Sequence, residues 1–278
     1  MLYRFCSARL KDMFCLDSMK LEKILFLDVE TVSQVKSYSE LNENMATLWN
    51  EKYDQIKKRS LYKYEEESDA LSSLPDMGLF AEFGKIICIS VGFLYKQTEE
   101  DEKWSFRVRS ITSDNENVIL QQFIELLQDV VKKEFLVCGH NIKEFDVPYI
   151  ARRLIINNIP LPKFFLKLKG KPWDNPLLDT MDLWKFGDYK HYTSLNLLCE
   201  TLGIKSPKEE MSGKDVYQIY YQDHNLDRIA YYCENDVIAT AQVYLKLNGK
   251  KIIEETNIER VYSLESKGKS PQNKITPL

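Results

Sequence analysis

Apolar residues along the chain follow two periods, one suited to strands and one to helices. The run Ile24-Leu25-Phe26-Leu27, continued by Val29 and Thr31, is the pattern of a short strand buried on both faces and central in its sheet. Residues 85–95, rich in β-branched residues, predict a second strand, and Trp104, Phe106, Val108 and Ser110 alternate with polar neighbours to predict a third. Together they read as an antiparallel meander off the first strand. Ser113 and Glu116 have the spacing of a capping box, after which Ile119, Leu120, Phe123, Leu126, Leu127 and Val130 recur at helical spacing. Residues 134–139 return to strand character. A strand, helix and strand of this length normally make a right-handed parallel crossover, so the pattern predicts an α/β fold with a mixed sheet.

Further along, Gly139-His140-Asn141-Ile142-Lys143-Glu144-Phe145-Asp146 separates that strand from a helix through Ile150, Leu154 and Ile155. A polar cluster between a strand end and a helix start is where open α/β sheets place ligands. Asp146 is the carboxylate to watch, although an aspartate there also suits a helix cap. Residues 177–184 predict the last strand; Asp179 and Asp182 read either as residues near the site or, the safer reading, as strand-end or turn residues. Thr193, Leu195, Leu198, Cys199 and Leu202 mark a helix closed by Gly203, and a second short helix follows around 216–221. The last long helix spans about 226–247, capped by Asn225 and ended near Gly249; it carries Tyr232 and Asp236 four apart on one face, along the inward edge of its apolar stripe.

Three stretches lie outside this frame. Residues 1–20 read as an N-terminal extension, with a possible natural start at Met19, and no signal-peptide core forms because charged residues interrupt it. Residues 33–76 carry Leu41, Met45, Leu48, Trp49 and Ile56 at helical spacing among charged residues, including Lys57-Lys58-Arg59 and Glu65-Glu66-Glu67, and read as a helical insertion with a solvated exterior. Residues 251–278 form a C-terminal segment ending in a mobile, polar tail. The expected domain is 21–250.

Composition narrows the setting. With 44% apolar and 29% charged residues the chain has a globular balance, and no apolar run approaches a membrane span. The net charge of −4 gives no global sign of nucleic-acid binding, but a local basic face is compatible with it. One candidate is Arg152–Trp173, where Arg152, Arg153, Lys163, Lys167, Lys169 and Lys171 mix with Phe164, Phe165 and Trp173; it reads either as a nucleic-acid surface or as lysines over packed aromatics, and its position after Asp146 favours the former. The six cysteines show no CxxC spacing, which argues against zinc or a disulfide framework and for core thiols in a reducing cytoplasm.

The chemistry concentrates in carboxylates. Asp28 and Glu30 sit two apart on one side of the first strand, at the end of a segment bound for the interior. Such a pair is tolerated if one is protonated, if an Arg or Lys reaches in, or if a divalent cation binds between them. Taken with Asn141-x-x-x-Phe145-Asp146 at the strand-to-helix corner and Tyr232-x-x-x-Asp236 on the last helix, the pair resembles the motif set of the DEDD superfamily of 3′-to-5′ exonucleases, and most nearly the exonuclease domain of family B DNA polymerases.

The resemblance covers about residues 22–247. It implies a ribonuclease-H-like fold with a five-stranded mixed sheet, the first strand central and helices on both faces. It further implies that Asp28, Glu30, Asp146 and Asp236 hold two divalent cations, Mg²⁺ or Mn²⁺, with Asp28 bridging, and that Asn141 and Phe145 meet the substrate. Tyr232 indicates the tyrosine branch, since the histidine branch places its His where this chain has Tyr231. The expected activity is removal of nucleoside monophosphates from a single-stranded 3′ end, DNA favoured, in the cytoplasm and in possible association with a polymerase or repair machinery. The alternatives are an RNA-trimming or oligonucleotide-degrading enzyme on the same site, and an inactive relative that only binds nucleic acid. The insertion at 33–76 departs from the family's common core, so the shape of the substrate groove does not carry over.

Overall fold

The computed structural model describes residues 20–59, 73–98, 103–168, 170, 175–188, 192–207, 211, 213 and 215–261. The extension before residue 20, the Glu65–Glu67 run, Lys169, Lys171, Trp173 and the tail after 261 lie outside them.

Strand β1 (Ile24–Ser33) is as apolar as its run predicted, and it pairs with a neighbour on each side. It runs antiparallel to β2 (Gly84–Tyr95) and parallel to β4 (Leu136–Gly139). Outward from β2 lies β3 (Ser105–Thr112), antiparallel; outward from β4 lies β5 (Leu177–Asp179), parallel. The sheet is mixed, as predicted, but has six strands: β6 (Ile258–Arg260) joins the far edge parallel to β3, giving the order β5-β4-β1-β2-β3-β6. Three residues, none of them buried, are too few to show a period, which is why the sequence pattern stopped at five.

Alternation along β1 divides the core. Leu25, Leu27 and Val29 face helices α2 (Glu116–Lys132) and α3 (Asp146–Ile156), while Ile24 and Phe26 pack on the other side against a long helix that carries Val237, Ala241 and Tyr244. That helix, Leu226–Leu247, occupies the predicted span, and Asn225 caps it by accepting the Arg228 N–H. Helices therefore cover both faces, and Asp28 and Glu30 fall on the side of the long helix.

Several local expectations are corrected. Ser113 and Glu116 do not form a capping box: Asn115 caps α2, and the Glu116 carboxylate turns inward to accept the Ile86 N–H at 2.7 Å and Arg153 Nε and Nη2 at 2.9 and 2.6 Å. Arg153 thereby leaves the candidate nucleic-acid surface, and so do Phe164 and Phe165 on α4 (Lys163–Lys167), which are buried in the core. Proximity to Asp146 outweighed the packing alternative for these residues, and packing is what the structure shows. The predicted strand over 177–184 ends at Asp179, whose carboxylate caps α5 (Thr180–Lys185). Residues 33–76 contribute α1 (Glu43–Arg59), with Trp49 and Tyr53 buried on Met77 and Phe83 and Leu48 facing outward.

Helix α6 (Leu195–Leu202) ends at Gly203 in the left-handed region (φ 65°), as its sequence implied, and packs on the long helix. A short helical turn over Val216–Gln218 passes into a π-turn over Ile219–Asp223 and leads to that long helix, α7.

Candidate active site

The candidate acids are delivered by three elements meeting beside the middle of β1. On β1 itself, Asp28 stands opposite Ser90 and Glu30 opposite Cys88, and a register shift follows between Glu30 and Thr31. Asp28 is half-buried and Glu30 buried, so both carboxylates have lost much of their water. Asp146 comes from the first turn of α3. Its Oδ1 accepts the backbone N–H of Val29 at 3.1 Å, a contact across 117 residues that ties the corner to the strand between the two β1 acids. Tyr232 and Asp236 come from α7, one turn apart and both buried. The Asp236 carboxylate is the charge that acts most strongly on the Tyr232 hydroxyl.

The corner carrying Asn141 is built by its neighbours. Asn141 adopts a left-handed backbone (φ 62°), which asparagine tolerates better than most residues. Asp179 holds it there: Oδ1 accepts the N–H of Asn141 at 2.9 Å and Oδ2 that of Lys143 at 3.2 Å, while Oδ1 also accepts Met181 N–H. A Cβ on Gly139 would come within 2.7 Å of the Ile142 side chain, so the strand must end on glycine for this loop to fold back. Asn141 Oδ1 is buried with no hydrogen-bond partner among the described residues. Phe145 is half-buried and its ring leans on Tyr149 at 5.4 Å.

The charges of Asp236, Asp146 and Glu30 all reach Asp28, whereas among the described residues only Asp28, Glu30 and Cys233 bring ligand atoms within 4.8 Å of one another. Burial pushes the Asp28 carboxyl well above its usual range, and the charges of Asp236, Asp146 and Glu30 push it further. Asp146 is likewise pushed up to about 7, chiefly by burial, against the lowering effect of its N–H donors. Tyr232 is held protonated by burial and by Asp236, Glu30 and Asp28. Among the described residues, the charges that raise Asp28 are carboxylates.

Cys233 was read as a core thiol, and it is buried, yet it also touches the site. Its S–H donates to Asp28 Oδ2 at 3.3 Å, and its sulfur lies within 4.8 Å of ligand atoms of both Asp28 and Glu30. No spacing signals this; only its place beside Tyr232 on α7 does. Two further residues support the corner, Asp179 as the strand-end residue its sequence suggested and His140 without a sequence signal. Asp179 acts as the brace just described, and His140 spans Thr180 and the Thr193 carbonyl at 2.9 Å each. The other cysteines among the described residues, Cys88, Cys138 and Cys199, are free and buried.

Comparison with known proteins gives the arrangement its place. Residues 79–264 match the family described as predicted 3′-5′ exonucleases related to the exonuclease domain of PolB. The chain belongs to this family. The matched region holds Asn141, Phe145, Asp146, Tyr232 and Asp236; Asp28 and Glu30 lie before it, across the helical insertion. The chain is also similar to the family B DNA polymerase from the hyperthermophilic archaeon Pyrobaculum calidifontis, at 13% identity and a TM-score of 0.47, over 80% of this chain and 24% of that one. No curated protein matches the sequence. Membership in the family is consistent with the acids converging as the structure has them, and among the described residues no helix is long and apolar enough to cross a membrane.

Proposed function

We propose that the chain is a metal-dependent 3′-5′ exonuclease that removes nucleoside monophosphates from the 3′ end of single-stranded nucleic acid, DNA favoured. One observation carries the reading: Asp28, Glu30, Asp146 and Asp236 come from separate places in the chain, and the charges of the other three raise the Asp28 carboxyl. A fold gains no stability from such crowding, so the arrangement is retained for what it binds.

The donor set fits the proposed group. Carboxylate oxygens are what Mg²⁺ and Mn²⁺ prefer, and Asp28, Glu30, Asp146 and Asp236 would hold them. Two such cations, when bound, supply an acidified water and relieve charge on the leaving 3′ oxygen. The chain's own residues do the rest. Asp146, anchored to Val29 N–H, fixes one carboxylate relative to β1. Tyr232 keeps its proton near neutral pH, so it orients a water by hydrogen bonding rather than acting as a base. Asn141 and Phe145 stand beside the acids on the same corner, where they meet the terminal nucleotide. Action on RNA or on short oligonucleotides remains the alternative for the same site, because none of these residues reports on the 2′ hydroxyl.

The test is direct. End-labelled DNA and RNA oligomers incubated with the protein and Mn²⁺ or Mg²⁺ should shorten stepwise from the 3′ end. EDTA and Asp28→Ala should each abolish the shortening. Degradation that survives both controls would assign the activity elsewhere.

A further inference from the structure

Among the described residues an aromatic side chain outside the core follows the chain to the corner that carries Asn141 and Asp146. Tyr192 is 68% exposed, so packing does not explain its ring. Its backbone is nonetheless held at a defined place. The next residue, Thr193, offers its carbonyl to His140 Nε2 at 2.9 Å, and His140 is itself held at Nδ1 by the Thr180 hydroxyl at 2.9 Å. Because the carbonyl can only accept, Nε2 carries the proton and the imidazole is a fixed donor. Ser194 then caps α6 by accepting the Leu197 N–H. A histidine clamp and a helix cap therefore follow directly on an exposed ring.

The clamp also sets where that ring is. His140 is the residue immediately before Asn141, so the fixed backbone lies against the corner that carries Asn141 and Asp146. Partial burial of its hydroxyl end, and then the carboxylates of Asp146, Asp179 and Glu144, raise the Tyr192 hydroxyl, in keeping with a ring on the side of this corner. The phenol stays neutral there and does not repel a phosphate.

Resting on the exonuclease reading above, we propose that Tyr192 is the platform on which the base of the 3′-terminal nucleotide stacks while its phosphate lies over the acids. An enzyme that removes any nucleotide needs base recognition that ignores base identity, and stacking on an aromatic face supplies it because every base has a π-face. His140 is a positioning residue in this account, acting through the Thr193 carbonyl.

The experiment measures binding rather than turnover. A single-stranded DNA oligomer ending in 3′-terminal 2-aminopurine is titrated with wild type, Tyr192→Ala and Tyr192→Phe in Ca²⁺, alongside the same oligomer ending in an abasic nucleotide. Wild type should quench the terminal fluorophore; Tyr192→Phe should bind within about two-fold of wild type, and Tyr192→Ala about ten-fold more weakly with the quench lost, at the low end of stacking on one ring. On the abasic oligomer wild type and Tyr192→Ala should bind equally. Equal binding of the base-bearing oligomer by Tyr192→Ala, or the same ten-fold loss on the abasic one, overturns the platform and leaves the exonuclease reading standing. A wild type that binds neither oligomer and shortens no labelled strand in Mn²⁺ overturns both.

Discussion

Replacing Asp146 by Asn should make the metal-free protein more stable, although it removes a candidate ligand. Asn keeps a side-chain oxygen for the Val29 N–H at 3.1 Å and deletes the charge. In the folded protein the Asp146 carboxyl is pushed up to about 7 from an ordinary 3.8. A raised acid holds its proton more tightly folded than unfolded, so its cost to stability is absent below about pH 4, grows between the two values and is complete above about pH 7. At ~1.36 kcal/mol per pH unit the full cost is roughly 4 kcal/mol, and relaxation of the neighbouring acids reduces the expected gain to about 2–4 kcal/mol. For a chain of this size that is a rise in Tm of roughly 5–12 °C. Thermal melts of wild type and Asp146→Asn in EDTA from pH 4.5 to 8.5 check it. The gap should be widest above pH 7, mostly gone at pH 4.5, and narrowed by Mn²⁺, which stabilises wild type more. A less stable Asn variant, or a gap indifferent to pH, would refute the picture of a crowded acid site.

Tyr232→Phe should lower kcat by roughly 10- to 100-fold while leaving Mn²⁺ affinity close to wild type, as single-turnover assays and metal titration would show; an unchanged kcat removes the hydroxyl from the chemistry. Glu116→Gln takes the counter-charge from Arg153 inside the core, where both side chains are almost fully buried, and should cost about 3–5 kcal/mol in urea unfolding; a loss under about 1 kcal/mol would mean that the pair is not a structural lock. Asp179→Ala leaves the backbone N–H groups of Asn141, Lys143 and Met181 without their acceptor, so hydrogen exchange over 140–146 should speed up and nuclease activity fall, while Mn²⁺ affinity drops less than in Asp28→Ala.

The long periodic elements were legible because one interaction dominates each. β1 is apolar on both faces, and α7 has its cap and its stripe in plain sight, so their ends were placed closely. The candidate acids stood out for a related reason: a carboxylate on a core strand or on the inner face of a helix conflicts with the pattern around it, and that conflict marks a candidate site. What was hidden depends on partners distant in the chain. Glu116 has the spacing of a capping residue, and only the approach of Arg153 from α3 turns it inward. Arg153, Phe164 and Phe165 looked like a basic, aromatic surface because sequence proximity to Asp146 does not report which way a side chain points. Cys233 reaches Asp28 across 205 residues, and β6 is too short for alternation to register.

Cation binding tests the central claim most directly. Electron paramagnetic resonance titration of the metal-free protein with Mn²⁺ should show two bound ions per chain at neutral pH, with spin coupling between them, and Asp28→Ala should lose the coupled pair. Wild type that binds no Mn²⁺, or binds it equally well after Asp28→Ala, would contradict the account.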